Sequence, residues 1–249
     1  MAPSSESRSI STDKSRAYST SSSFNLTVLI SGSGTNLQAL IDACGQSPSG
    51  DSGPRTLPQA QITHVISNRR DAYGLVRAEE ANIPTTYHNL VAYKKKHANT
   101  EAGVQAARRE YDADLAQKIL THIPSPDLVV CAGWMHILSP VFVNALAAAN
   151  VPIINLHPAL PGQFNGANAI GRAYEAFQRG QISKTGLMVH YVVDEVDMGQ
   201  PVLVKEIDFK SGESQDDLEQ RMHQAEWQLL VEATGKVLAE LEGKRRTEA

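Results

Sequence analysis

The chain has 249 residues and a mass of 27.0 kDa, room for one large or two small domains, and 41% hydrophobic residues supply a sizeable core. Fibrous, collagen-like and wholly disordered organisations are thereby excluded. With 23 Lys and Arg against 27 Asp and Glu, the net charge of −4 offers no broad cationic field to a nucleic acid or an anionic lipid, so an anionic ligand must be held by a local site.

Residues 1–23 are serine-rich, with few large apolar side chains and mixed charges at Glu6, Arg8, Asp13, Lys14 and Arg16. Such a segment cannot bury enough surface to offset its ordering entropy, which predicts a disordered tail over 1–23 and a single domain over 24–249. A mitochondrial presequence is the rival reading, but Glu6 and Asp13 and the lack of an amphipathic stripe argue for a cytoplasmic protein. No apolar run approaches the roughly 20 residues of a membrane span, which predicts a soluble chain without a membrane partner. Cys44 and Cys131 lie far apart in apolar runs, as buried free thiols do in a reducing compartment.

From Leu26 the pattern becomes alternating strand and helix. Leu26–Ser31, Ile62–Ser67, Asp127–Gly133 and Pro152–His157 are short apolar runs of the kind buried on both faces of a parallel sheet. After the first, Leu37, Leu40, Ile41 and Cys44 recur at helical spacing, with Asn36 placed to cap the helix and Gly45 to end it. Gln46 to Gln59, rich in Pro and Gly, reads as a surface loop, and Lys94-Lys95-Lys96 as a solvated helix face. Gly186–Val193 and Pro201–Phe209 predict two late strands near one sheet edge. The stripe Leu218, Met222, Ala225, Leu229, Ala233, Val237 and Leu241 predicts a last helix opened by Ser214 and Asp217. The fold class is α/β: a Rossmann-like parallel sheet with helices on both faces, extended by late strands, and a C-terminal helix.

Three segments carry the chemistry. Ser31-Gly32-Ser33-Gly34-Thr35-Asn36-Leu37 sets two glycines and small polar residues between a strand and a helix N-terminus, where free N–H groups and the helix dipole attract anions. A dinucleotide fingerprint would need a third glycine at Leu37, and a P-loop would need a lysine, so the segment suits a single phosphate or is simply a tight turn. Asn155 and His157 stand at i and i+2 at the end of the fourth strand and share a face. A carboxamide beside an imidazole can stabilise an oxygen that becomes negative in acyl transfer, or the His can merely satisfy the following Pro-rich turn. Asp194-Glu195-Val196-Asp197-Met198-Gly199 lacks the ligand spacing of a calcium loop, so no metal is expected there. It offers either a carboxylate to orient a histidine or only a solvated turn.

Together these segments resemble the phosphoribosylglycinamide (GAR) formyltransferases, within the folate-dependent formyltransferases. The likeness is carried, in order, by Ile30 to Gln38, by Ser67-Asn68-Arg69 with Asp71 to Gly74, by Ala132 to Pro140, and by Ile154 to Pro158 followed by Val193 to Gly199. It covers nearly everything from residue 26 to 242. The resemblance implies a metal-free transfer of the formyl group of 10-formyltetrahydrofolate, a cosubstrate, to the GAR amine in purine (IMP) biosynthesis. Asn155, His157 and Asp197 would be the catalytic trio, with His157 protonated and held charged by Asp197. It further implies GAR phosphate and ribose contacts from Ser33, Gly34, Thr35, Asn36, His223 and Glu226. Folate contacts would come from Arg108, Met135, His136, Ile137, Leu138, Val193, Asp194, Glu195 and Asp197.

The chain departs from the common pattern in four places. Ala159-Leu160-Pro161 replaces a Ser-Leu-Leu-Pro turn and Ala167-Asn168-Ala169 a histidine-bearing one, His136 replaces an arginine, and His223 replaces a longer side chain near the phosphate. Partners expected are the two small molecules alone, in a monomer or homodimer. The enzymatic rival is a formyltetrahydrofolate deformylase, which uses water as acceptor; the non-enzyme rival is a nucleotide-sensing α/β module.

Overall fold

A computed structural model describes residues 23–48 and 55–248. The tail predicted over 1–23 therefore lies, apart from Ser23, outside the described residues, as does part of the Gln46–Gln59 loop. Strands β1 (Phe24–Ile30), β2 (Ala60–Ser67), β3 (Thr85–Tyr87), β4 (Leu128–Cys131), β5 (Ile153–His157), β6 (Lys184–Tyr191) and β7 (Pro201–Asp208) form one sheet in the order β3-β2-β1-β4-β5-β6-β7. The first five run parallel; β6 and β7 are antiparallel additions at one edge. The helices are α1 (Thr35–Cys44), α2 (Tyr73–Glu80), α3 (Leu90–Lys94), α4 (Glu101–Leu120), α5 (Pro140–Ala148), α6 (Ala169–Gln178) and α7 (Gln215–Glu248). Among the described residues no helix is long and apolar enough to cross a membrane.

The expected α/β sheet with helices on both faces is the observed one, and its causes are local. β1 and β4 are apolar on both faces because two cores sandwich them. Val28, Ile30 and Val130 face the layer of α1 and α7, while Leu29, Val129 and Cys131 face α4 and α5 with Tyr111 and Phe142. Burying a Leu or Phe side chain in either layer contributes about 1.5–3 kcal/mol before entropy is counted. Both thiols are buried, and burial alone pushes the Cys131 thiol up to about 12. α7 begins with a reciprocal cap: Ser214 Oγ accepts from the Asp217 N–H at 3.1 Å, and the Asp217 carboxylate accepts from the Ser214 hydroxyl at 2.6 Å. The edge strand β3 was not foreseen, since Thr-Thr-Tyr is short and half exposed and carries no apolar run.

One core polar group makes the fold acid-sensitive. His64 on β2 is buried, stacked on His122 with ring centroids 4.1 Å apart, and bonded through Nε2 to Thr86 Oγ1 at 2.8 Å. Burial, helped by the neighbouring His122, lowers its pKa to about 4. A folded-state value below the unfolded 6.5 means that the unfolded chain takes up the proton first. The stability from neutral His64 is therefore complete above pH 6.5 and is lost as pH falls from 6.5 towards 4, about 2 kcal/mol by pH 5. Urea unfolding at pH 7.5 and pH 5 should show this loss in the wild type and a clearly smaller one in His64→Gln. Equal losses in both proteins would rule out His64 as the source.

Candidate active site

The site lies along the carboxyl edge of the parallel strands, where open α/β sheets bind ligands. At the end of β1 the chain turns through Gly34, which sits at φ 71° just before α1. A Cβ there would lie 2.4 Å from Gly74 Cα, and Gly74 N–H donates to Gly32 O at 3.1 Å, so the turn is braced backbone to backbone by the start of α2. The first intrahelical bond runs from Gln38 N–H to Gly34 O at 2.9 Å. The amides of residues 35–37 therefore precede the ladder and have no helical acceptor, the geometry of an anion site. Ser33 is exposed, Gly34 buried and Thr35 half-buried at its mouth.

Asn36 does not cap α1, contrary to the sequence expectation; the αL turn at Gly34 occupies the cap position. Its carboxamide instead donates to Glu226 Oε2 of α7 at 3.0 Å, leaving Asn36 Oδ1 buried without a partner among the described residues. Burial raises the Glu226 pKa, while the Asn36 bond and nearby His223 oppose the rise. The Ser33–Asn36 turn and Glu226 are thus one cluster, with His223 exposed one helical turn before Glu226.

From β4 the chain runs through Gly133 to Ser139 into α5, and this loop is pinned from beneath. Ser31 N–H donates to Gly133 O at 3.1 Å, and Met135 N–H donates to Ser31 Oγ at 2.8 Å. Fully buried Asp112 of α4 accepts from His136 Nε2 at 2.7 Å and from Ser139 N–H at 2.9 Å. His136 therefore turns into the protein, where it partners Asp112, and Met135 and Ile137 are left 75% and 58% exposed at the mouth of the site. Leu138 is buried against Phe142 and its neighbours. Arg108 is exposed on α4 four residues before Asp112, and among the described residues no hydrogen bond or ion pair joins it to the rest of the site.

Asn155 and His157 project from one face of β5, as the i, i+2 spacing predicts. The turn after β6 brings Asp197 to them: His157 Nδ1 lies 3.3 Å from Asp197 Oδ2, and Asn155 Nδ2 lies 3.5 Å from Oδ1. Asp197 is at φ 57°, and Gly199 follows it because a Cβ there would meet Tyr191 O at 1.6 Å. Gly166 N–H gives the carboxylate its shortest hydrogen bond, 2.7 Å to Oδ2. Val193, Asp194 and Glu195 are exposed on the same turn.

Sequence reasoning missed His190. It stands directly across β5–β6 from Asn155, with Nδ1 donating to Tyr191 O at 2.9 Å. That bond leaves the Nε2 lone pair to accept from Asn155 Nδ2 at 3.3 Å, which fixes the amide with its NH2 towards Asp197. A polar residue within a strand otherwise buried and apolar, on the face shared with Asn155, is the signal that would have found it.

The ionisation of the trio follows from these contacts. Burial lowers the His157 pKa from its ordinary 6.5, against the opposing pull of Asp197 and the Gln163 backbone. Burial would raise Asp197, but the neighbouring His190 ring, the Gly166 N–H bond and His157 outweigh it, and its pKa falls below 3.8. Burial thus favours neutral imidazole beside carboxylate at rest, whereas the resemblance implies a protonated His157. With Nδ1 facing Asp197, His157 Nε2 is buried and has no partner among the described residues. It is the ring atom left for a substrate.

A turn with the geometry of an anion site thus lies two strands from an amide–imidazole–carboxylate trio, an arrangement suited to group transfer. The chain belongs to the formyl transferase family, whose sequence model matches residues 24–234. It is 49% identical to the phosphoribosylglycinamide formyltransferase of Schizosaccharomyces pombe over 216 residues, 87% of this chain and 98% of that protein. It is 46% identical to the protein of the same name from Saccharomyces cerevisiae over 220 residues, 87% of this chain and 98% of that one. Its fold matches the crystal structure of glycinamide ribonucleotide transformylase 1 from Symbiobacterium toebii with a TM-score of 0.69 at 30% identity, covering 89% of this chain and 90% of that one.

Proposed function

We propose that this protein transfers the formyl group of 10-formyltetrahydrofolate to the primary amine of GAR, a step of purine biosynthesis, with Asn155, His157 and Asp197 as its catalytic residues. The observation that carries the reading is spatial. The phosphate-type turn ends β1, the trio ends β5, and only β4 stands between them, a separation of about 10 Å at ordinary strand spacing. A phosphorylated ribose bearing a glycinamide has its anion and its amine at opposite ends and can bridge them. The loop leaving β4 exposes Met135 and Ile137 between the two, an apolar edge suited to a flat pterin.

The 5′-phosphate is held by the amides of Gly34, Thr35 and Asn36, with Ser33 and His223 at the rim, and Glu226 accepts from the ribose hydroxyls. The folate lies against Met135 to Leu138 and the Val193–Asp197 turn, and Arg108 is placed to meet its acidic tail. The His136 side chain is committed to Asp112, so the contribution of that residue is its backbone.

His157 Nε2 takes the amine proton as the new C–N bond forms, and the imidazolium so made faces Asp197. Asn155 Nδ2, exchanging its long 3.5 Å contact with Asp197 for the formyl oxygen, and the imidazolium donate to that oxygen as it gains charge, each worth about 2–4 kcal/mol of barrier. His157 then returns the proton to the folate nitrogen as its bond to the formyl carbon breaks. One N–H bond is lost at the amine and one gained at the folate, and no metal or covalent enzyme adduct is required. Asp197, ionised throughout, stabilises the transient cation. The resident partners are these two small molecules, and the compartment is the cytoplasm.

The test is the absorbance change on loss of 10-formyltetrahydrofolate with and without GAR. Loss that depends on GAR is expected. Equal loss without GAR would replace the transferase with a hydrolase.

A further inference from the structure

Arg172 of α6 has no part in the chemistry above, yet it stands behind one of the bonds that hold Asp197. Its Nη2 donates to two successive carbonyls, Phe164 O at 2.5 Å and Asn165 O at 2.8 Å. The next residue is Gly166, whose N–H makes the 2.7 Å bond to Asp197 Oδ2. Phe164, Gly166 and Asn168 lie at φ 50°, 83° and 53°, so three of five consecutive residues occupy the left-handed region. Non-glycine residues persist there only where the surroundings hold them. Asn165 ties the same turn to the Asp197 loop through Nδ2 to Val196 O at 3.4 Å. The groups that face the Asp197 carboxylate are His157 and Asn155 from β5, His190 from β6 and the Gly166 amide from this turn. Arg172 also acts on His157, its charge disfavouring the imidazolium.

We infer that Arg172 is a positioning residue for Asp197: by clamping the Phe164 and Asn165 carbonyls it fixes the Gly166 amide that aims the carboxylate at His157. The inference rests on the catalytic role proposed for Asp197, and a planar guanidinium suits it because the two N–H bonds of Nη2 are held in one plane and point at both carbonyls in fixed directions. The ammonium of Arg172→Lys keeps the charge near His157 but meets the two carbonyls less rigidly, which separates geometry from electrostatics.

The first measurement is a carbon NMR titration of the Asp197 carboxyl, which needs no turnover. Arg172→Met should raise its midpoint, because the Gly166 bond that favours the carboxylate is loosened, and Arg172→Lys should raise it less. An unchanged midpoint in both variants overturns the inference whatever the substrate proves to be. The second is kinetic. Arg172→Met should lower kcat roughly tenfold with KM for both substrates within about threefold, and should cost less than about twofold in an Asp197→Asn background, since the two act as one unit. The same factor in both backgrounds would mean a structural role only and overturn the inference. Absence of GAR-dependent transfer in the wild type would instead overturn the function and leave the titration to decide on Arg172.

Discussion

Asp197→Asn should reduce kcat by about a hundredfold or more while tetrahydrofolate binding, followed by fluorescence quenching, changes less than about threefold. The amide is nearly the shape of the carboxylate and can still accept from Gly166, so what is lost is charge. Burial already disfavours the imidazolium of His157, and Asp197 is the first of the groups opposing that effect. Without it, proton uptake at Nε2 becomes costlier at the moment the oxyanion needs its partner. The pH profile gives an independent reading. Neutral His157 is the active form, so kcat/KM rises with pH through its ionisation. Since Asp197 holds that pKa up, the acid limb should move to lower pH in the variant. A kcat within about fivefold of wild type, or a limb that moves to higher pH, would remove Asp197 from the role proposed for it.

Gly34→Ala should damage the acceptor site and the fold together. A left-handed φ costs an L-residue roughly 1–2 kcal/mol, and the added methyl meets Gly74 Cα at 2.4 Å, a backbone atom with no rotamer to yield. Either α1 or α2 must shift, carrying the amides of residues 35–37 with it. We expect KM for GAR to rise about tenfold or more, with Tm lower by about 5 °C. Gly32→Ala is the control: nothing lies within 4 Å of its would-be Cβ, and its Tm should stay within about 1 °C of wild type. A Gly34→Ala protein with unaltered Tm and KM would mean that the turn is looser than its geometry implies.

The sheet was legible because β1, β4 and β5 are largely buried on both faces, as is the Val65–Ser67 end of β2, so each reads as a short apolar-rich run. The phosphate-type turn and the Asn155–His157 pair were legible for a related reason, since both sit at strand ends where spacing alone fixes which residues share a face. Asp197 was not legible in this way. It lies 42 positions from Asn155, and only the closure of β6 and the turn after it brings them to 3.5 Å. His190 was hidden because register, a property of two strands together, sets it opposite Asn155. The partner of Asn36 was misread for the same physical reason: the αL turn at Gly34 takes the cap position, and the Asn36 amide nitrogen is left to meet a carboxylate on a distant helix. His136 shows the complementary case, where an unusual residue in the loop from Gly133 to Ser139 is explained by Asp112 beneath it.

The Asn36–Glu226 hydrogen bond joins residues 190 positions apart. During synthesis β1 and its turn emerge well before α7, which carries Glu226. β5, and with it Asn155 and His157, is translated before α7 exists. A chain stalled ahead of α7 therefore holds Asn155, His157 and Asp197 but lacks the carboxylate that ties the β1 turn to the last helix.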